Sequence, residues 1–184
     1  MKDMSKKLTV VPERCSGCRT CELVCSITRF GVNNPKKSSI RVIVIYPHPV
    51  IRMPIVCRQC REPKCMENCP TEAMNIKNGI VEIDQNNCIS CQQCVISCPF
   101  GAIFLHNDVP VPFKCNLCNG SPKCVQECPK KALLFLPEHI FGQAHRIASV
   151  LKYAHMREIE YIEGGEKKKL KYADIEGGKA HDED

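Results

Sequence analysis

Short apolar stretches broken by turn residues make up most of the patterned sequence. Ile40-Arg-Val-Ile-Val-Ile45 reads as a strand. Met74-Asn-Ile-Lys77 and Ile80-Val-Glu-Ile83 flank Asn78-Gly79, and Asn-Gly between alternating apolar residues predicts a hairpin. Further along, Ile140, Ala144, Ile147, Leu151 and Ala154 recur at helical spacing and form one apolar stripe. Ile159-Glu-Tyr161-Ile-Glu, Gly164-Gly165 and Leu170-Lys-Tyr172 predict a second hairpin, and the terminal EGGKAHDED reads as disordered. Pro70-Thr-Glu-Ala73-Met74, Pro99-Phe-Gly-Ala102-Ile103 and Pro129-Lys-Lys-Ala132-Leu133 each predict a short helix with proline at its first position. The most apolar stretch, 40–56, is interrupted by Arg41, Pro47, His48, Pro49, Arg52 and Pro54, so it does not span a bilayer as a helix.

Composition changes the picture. The 184 residues include no Trp, six Phe and four Tyr, whereas aromatic side chains usually dominate core burial. Sixteen cysteines stand in their place. The N-terminus, MKDMSKKLTVVPERC, has charges but no apolar run behind them, so it does not read as a secretory signal. A cytoplasmic chain is expected, in which thiols stay reduced and serve as metal ligands rather than disulfides.

The cysteines form four quartets with none left over. Cys15, Cys18, Cys21 and Cys25 are spaced C-x2-C-x2-C-x3-C, as are Cys88, Cys91, Cys94 and Cys98. Cys57, Cys60, Cys65 and Cys69 are spaced C-x2-C-x4-C-x3-C, and Cys115, Cys118, Cys124 and Cys128 C-x2-C-x5-C-x3-C. Proline follows the second, third and fourth quartets, but Ser26 follows the first. This is an internal repeat of strand, cysteine loop, short helix and strand. It divides the chain into a domain of cysteine quartets, 1–136, with a connector at 26–56, and a C-terminal region, 137–184, of helix, hairpin and tail that reads as a docking element.

Three cysteines at C-x2-C-x2-C turn three thiolates towards one body, while the fourth, ahead of proline, ligates a neighbouring cluster in the bacterial ferredoxin pattern. Structural zinc instead uses two well-separated pairs. The spacing therefore favours [4Fe–4S] clusters. The formal net charge of +6 does not then signal nucleic acid. Each cluster with four thiolates carries about −2, which takes the total to about −2. Arg14, Arg19, Arg58, Arg61, Lys64, Lys114, Lys123, Lys130 and Lys131 lie beside the ligands, either offsetting cluster charge or as solvated loop residues. Four complete quartets leave no iron open to substrate, so conduction is expected and catalysis is not.

The quartet order, with Cys15-Ser-Gly-Cys18-Arg-Thr-Cys21-Glu-Leu-Val-Cys25 first and Lys114-Cys115-Asn-Leu-Cys118 opening the fourth, resembles the four-cluster ferredoxin-type electron-transfer subunits. These serve molybdenum and tungsten pterin oxidoreductases, related dehydrogenases and some hydrogenases. The resemblance covers about residues 8–136. It implies an α+β fold of two pseudo-twofold ferredoxin-like halves, motifs one and four in one and two and three in the other. It also implies four ligand sets: Cys15, Cys18, Cys21 with Cys128; Cys115, Cys118, Cys124 with Cys25; Cys57, Cys60, Cys65 with Cys98; and Cys88, Cys91, Cys94 with Cys69. Ser26, where the pattern has proline, leaves the path after Cys25 open. The tail, residues 140–175, is similar to extensions on small subunits that accompany tungsten aldehyde oxidoreductases and benzoyl-CoA reductases. A tungsten or molybdenum catalytic partner in a hetero-oligomer of an anaerobic enzyme is therefore the preferred expectation, with a further redox partner.

The alternatives are a free-standing polyferredoxin shuttle and a zinc-binding structural module. His48, His106, His139, His145, His155 and His181 lie outside the quartets and read as ordinary polar residues. Glu166-Lys-Lys-Lys169-Leu-Lys171 reads as a solvated hairpin edge before it reads as a docking patch. No phosphate-cradling glycine loop, dinucleotide fingerprint or nucleophile with its base is present.

Overall fold

The computed structural model describes residues 6–46, 50–137, 158–163 and 166–171. Ten strands and four α-helices follow one another in these segments. The strands are β1 (Lys6–Val10), β2 (Ile40–Ile45), β3 (Ile51–Val56), β4 (Met74–Lys77), β5 (Ile80–Ile83), β6 (Ile103–His106), β7 (Val109–Lys114), β8 (Leu133–Pro137), β9 (Glu158–Glu163) and β10 (Glu166–Lys171). The helices are α1 (Thr20–Phe30), α2 (Lys64–Glu67), α3 (Gln93–Ser97) and α4 (Lys123–Gln126). Among the described residues every sheet is two-stranded: β1 with β8, β2 with β3, β4 with β5, β6 with β7, and β9 with β10. None of the described helices is long and apolar enough to cross a membrane.

Local chemistry accounts for the hairpins. Lys77 pairs with Ile80, so Asn78 and Gly79 form a two-residue loop, both left-handed at φ 50° and 74°. Such a turn matches the twist of the flanking strands, and Asn-Gly tolerates it best. In β2, Ile40 and Val42 are buried while Ile43 and Ile45 are exposed, the alternation of a strand with one covered face. Its partner β3 carries Pro54 opposite Val42, tolerated because a two-stranded ribbon leaves one edge unpaired.

The helices predicted after Pro70, Pro99 and Pro129 do not form. Each proline instead occupies the second position of a turn closed by a backbone bond to the preceding cysteine: Glu72 N to Cys69 O at 3.3 Å, Gly101 N to Cys98 O at 3.1 Å, and Lys131 N to Cys128 O at 3.2 Å. Glu72, Gly101 and Lys131 are then left-handed, at φ 52°, 57° and 50°, which ends any helix and launches β4, β6 and β8. The repeat unit is thus cysteine loop, helix, proline turn and strand. Ser26 makes the first motif different. Without a proline the helix runs on, so α1 carries both Cys21 and Cys25 and ends at Gly31, left-handed at φ 68°.

Residues 7–135 form one compact unit with two groups of buried side chains. Leu8, Ile40, Val42, Val56, Leu117 and Leu133 pack with Cys21, Cys25 and Cys124. Met74 and Ile103 pack with Cys94. Helix α1 packs against α4, and α2 against α3. Strands β9 and β10, in the other unit, pair antiparallel with Glu163 opposite Glu166, the hairpin expected there. The apolar stripe and the tail expected to be disordered lie outside the described residues.

Candidate metal centres

All sixteen cysteines are unbridged. Their loops share one backbone device. The residue before each second cysteine is left-handed: Gly17 at φ 76°, Gln59 at 46°, Ser90 at 57° and Leu117 at 55°. That kink folds each C-x2-C segment back so that its cysteines face the same side. Non-glycine residues hold such a conformation only when the surroundings demand it. Arg19 and Gln92, just after the second cysteine, are also left-handed and cap α1 and α3. In the longer second and fourth loops Pro63 and Pro122 take the capping position instead.

The folded loops bring cysteines from different motifs together. One cavity is lined by Cys15, Cys18, Cys21 and Cys128. Another is lined by Cys25, Cys115, Cys118 and Cys124. In the α2–α3 region Cys65 feels the charges of Cys57 and Cys98, and Cys94 those of Cys88, Cys69 and Cys91. Cys60 shares the short loop of Cys57 and is half-buried.

Backbone N–H groups point at sulfur. Ser39 N reaches Cys25 Sγ at 3.2 Å, Ala102 N reaches Cys98 Sγ at 3.4 Å, and Ala132 N reaches Cys128 Sγ at 3.3 Å. Leu117 N donates to Cys115 Sγ at 3.3 Å. The proline turns aim Ala102 and Ala132, and Ser39 replaces them where the motif has no proline. Such bonds stabilise a thiolate and tune a bound cluster.

Burial pushes the Cys21 thiol up to about 12, helped by the Glu22 charge and then Cys128 and Cys15. Cys115 is likewise pushed up to about 12 by burial, with Cys57 and Cys25 adding to the shift. Cys65 rises to about 11, from burial opposed by Lys114. Burial also raises Cys25, Cys94 and Cys124. At the rim, the Thr20 hydroxyl, 3.4 Å from Cys18 Sγ, and its N–H hold Cys18 below the usual thiol range. For Cys69 burial is more than offset by hydrogen bonds from Thr71, Ala73 and Met74, and the thiol falls.

The donors fit iron–sulfur cubes. Each of the two cavities has four cysteines on its walls, the number of thiolates that one [4Fe–4S] cube takes. His106 meets Asn34 at 3.4 Å and Asp108 rather than a cysteine, and the other five histidines lie outside the described residues. Several features of the site join residues too far apart for sequence reading. The buried Glu22 carboxylate accepts from Val42 N at 2.6 Å, and Lys114 and Gln59 are buried together. Other flanking bases make surface contacts, as with Lys64 to Glu67 at 2.7 Å and Lys123 to Gln126 at 3.1 Å.

Fold and thiol arrangement define a ferredoxin-type iron–sulfur protein, and the comparisons with known proteins agree. Residues 49–137 match the 4Fe-4S dicluster domain and residues 12–31 a 4Fe-4S binding domain. The chain is 37% identical over 123 residues to the polyferredoxin-like subunit of an aliphatic sulfonate oxidoreductase from Pyrococcus furiosus, covering 66% of this chain and 70% of the relative. It is 33% identical over 175 residues to an iron-sulfur protein of Rhodospirillum rubrum, covering 80% and 87%. A solved structure of the active-site complex BamBC of benzoyl coenzyme A reductase is 26% identical, covering 80% of this chain and 89% of that one, with a TM-score of 0.43. The chain belongs to the 4Fe-4S ferredoxin family, and its cysteines hold multiple [4Fe–4S] clusters.

Proposed function

We propose that this chain is the electron-transfer subunit of an oxidoreductase complex and carries four [4Fe–4S] clusters. The observation that carries the reading is the meeting of cysteines from motifs one and four around shared cavities, each with four sulfurs on its walls. The ligand sets are Cys15, Cys18, Cys21 and Cys128; Cys25, Cys115, Cys118 and Cys124; Cys57, Cys60, Cys65 and Cys98; and Cys69, Cys88, Cys91 and Cys94. Motifs one and four then form one ferredoxin-like half, and two and three the other. A fully ligated cluster supplies reversible one-electron storage and no vacant iron for substrate. The chain's own residues set spacing, exclude water and present two exposed ligands, Cys18 and Cys91, on the surface.

A catalytic oxidoreductase subunit is the partner, as the Pyrococcus furiosus relative's description as a subunit supports. A tungsten or molybdenum pterin enzyme in the cytoplasm is the preferred kind, on the resemblance of the tail. Domain 1–136 carries the clusters and 137–184 docks the partner. The crossed ligand sets make a sharp test. In Cys25→Ser, electron paramagnetic resonance of the reduced protein is expected to lose or alter the centre of Cys115, Cys118 and Cys124. Loss of only the centre of Cys15, Cys18 and Cys21 would contradict the assignment.

A further inference from the structure

Among the bases beside the ligand cysteines, Lys114 is the buried one, at 4% exposure. It closes β7 immediately before Cys115, and its ammonium lies against the second motif. Nζ donates to Gln59 Oε1 at 3.2 Å, to Val81 O at 2.5 Å and to Cys115 O at 3.3 Å. Gln59, 2% exposed, is the left-handed residue between Cys57 and Cys60. Its Oε1 also accepts from Val81 N at 3.0 Å, and its Nε2 donates to Cys115 O at 2.7 Å. Lys114 and Gln59 therefore tie the second cysteine loop to the fourth.

The three donors of the ammonium meet three neutral oxygens. None of these partners is a carboxylate, so among the described residues no bonded anion offsets the charge. A buried cation without a bonded counter-ion is costly unless negative charge lies near. Thiolate-bound clusters of the second and fourth motifs supply it, each at about −2. The thiols of Cys65 and Cys115 both respond to the Lys114 charge, and that of Cys115 also to Cys57.

We propose that Lys114 is a fixed positive charge shared by the cluster sites of the second and fourth motifs, raising the reduction potential of both. The inference rests on the ligand sets given above. Reduction adds one negative charge to a centre, and a nearby cation in a low-dielectric interior stabilises that added charge. Lys114 acts through this field as a positioning residue; it is not a ligand. The effect biases the added electron towards these two sites, whose cysteine loops the Lys114–Gln59 pair ties together.

The test is a potentiometric titration of the complete, cluster-loaded chain followed by electron paramagnetic resonance. Lys114→Met is expected to lower the reduced-to-oxidised ratio of two centres by about tenfold at a fixed poise, a shift of about 59 mV for a one-electron couple. The other two centres shift less. Lys114→Arg keeps the charge and restores the two potentials, which a merely structural role would not require. If Lys114→Met fails to load, Gln59→Glu places a carboxylate beside the ammonium and is expected to lower the same two potentials. Unchanged potentials in a fully loaded Lys114→Met, or equal shifts in all four centres, would overturn the inference while leaving the ligand sets standing. An iron content in the unaltered protein too low for four centres would instead overturn the ligand sets.

Discussion

Around α1 and α4, cysteines pack among aliphatic side chains: Leu8, Ile40, Val42, Val56, Leu117 and Leu133 bury Cys21, Cys25 and Cys124. Around α2 and α3, Met74 and Ile103 are buried with Cys94, and the partly buried layer mixes Cys65, Cys69 and Cys98 with Met66, Ile83 and Val95. Among the described helices only α1 is long, while its neighbour α4 has four residues. α1 runs for eleven residues, while α2 has four and α3 five. The first region owns an apolar core that exists apart from its cofactors. In the second the metal ligands are much of the core, so cofactor and fold are one cooperative unit.

The largest effect expected from this contrast follows loss of iron. Chelation under mild oxidation should abolish amide-exchange protection across 64–106, while protection in β2 and β3 survives in part. Exchange mass spectrometry checks it, and simultaneous loss in both regions would erase the distinction. A smaller effect comes from making the first motif like the others. Ser26 is fully buried within α1, and its hydroxyl donates to Leu23 O at 2.9 Å. Ser26→Pro should cost about 3 kcal/mol or more, although proline is native after Cys69, Cys98 and Cys128. Denaturant unfolding under anaerobic conditions measures it, and a neutral result would mean that α1 does not need to continue past Cys25.

The smallest effect concerns pH in the metal-free chain. Cys21 and Cys115 rise from a usual thiol value of 9.0 to about 12. The folded region therefore binds more protons than the unfolded chain between those values. Its residual stability is fully present below about pH 9 and is lost as pH climbs towards 12. Circular dichroism of the stripped protein at pH 8 and pH 11 should show that loss, and equal spectra would contradict it.

Features set by neighbouring residues were legible in the sequence. Asn78-Gly79 announced its hairpin, the apolar run Ile40-Arg-Val-Ile-Val-Ile45 announced β2, and the quartet spacings announced the cofactor. Pro70, Pro99 and Pro129 were misread because proline favours both a helix start and the second position of a turn, and the choice was made by the left-handed residues that follow. The extension of α1 was signalled by the missing proline at Ser26, which marked an altered path without giving its direction. The Gln59 side chain meets Cys115 O across 56 positions, a contact that no local pattern encodes. Lys114 looked like any other base beside a ligand; only its burial singles it out.

Iron, acid-labile sulfide and zinc measured together on protein purified without oxygen give the most direct test of the central claim. The account predicts about sixteen iron and about sixteen sulfide per chain with negligible zinc, four atoms of each for every set of four thiolates. Zinc in place of iron, or a colourless protein lacking sulfide, would contradict it.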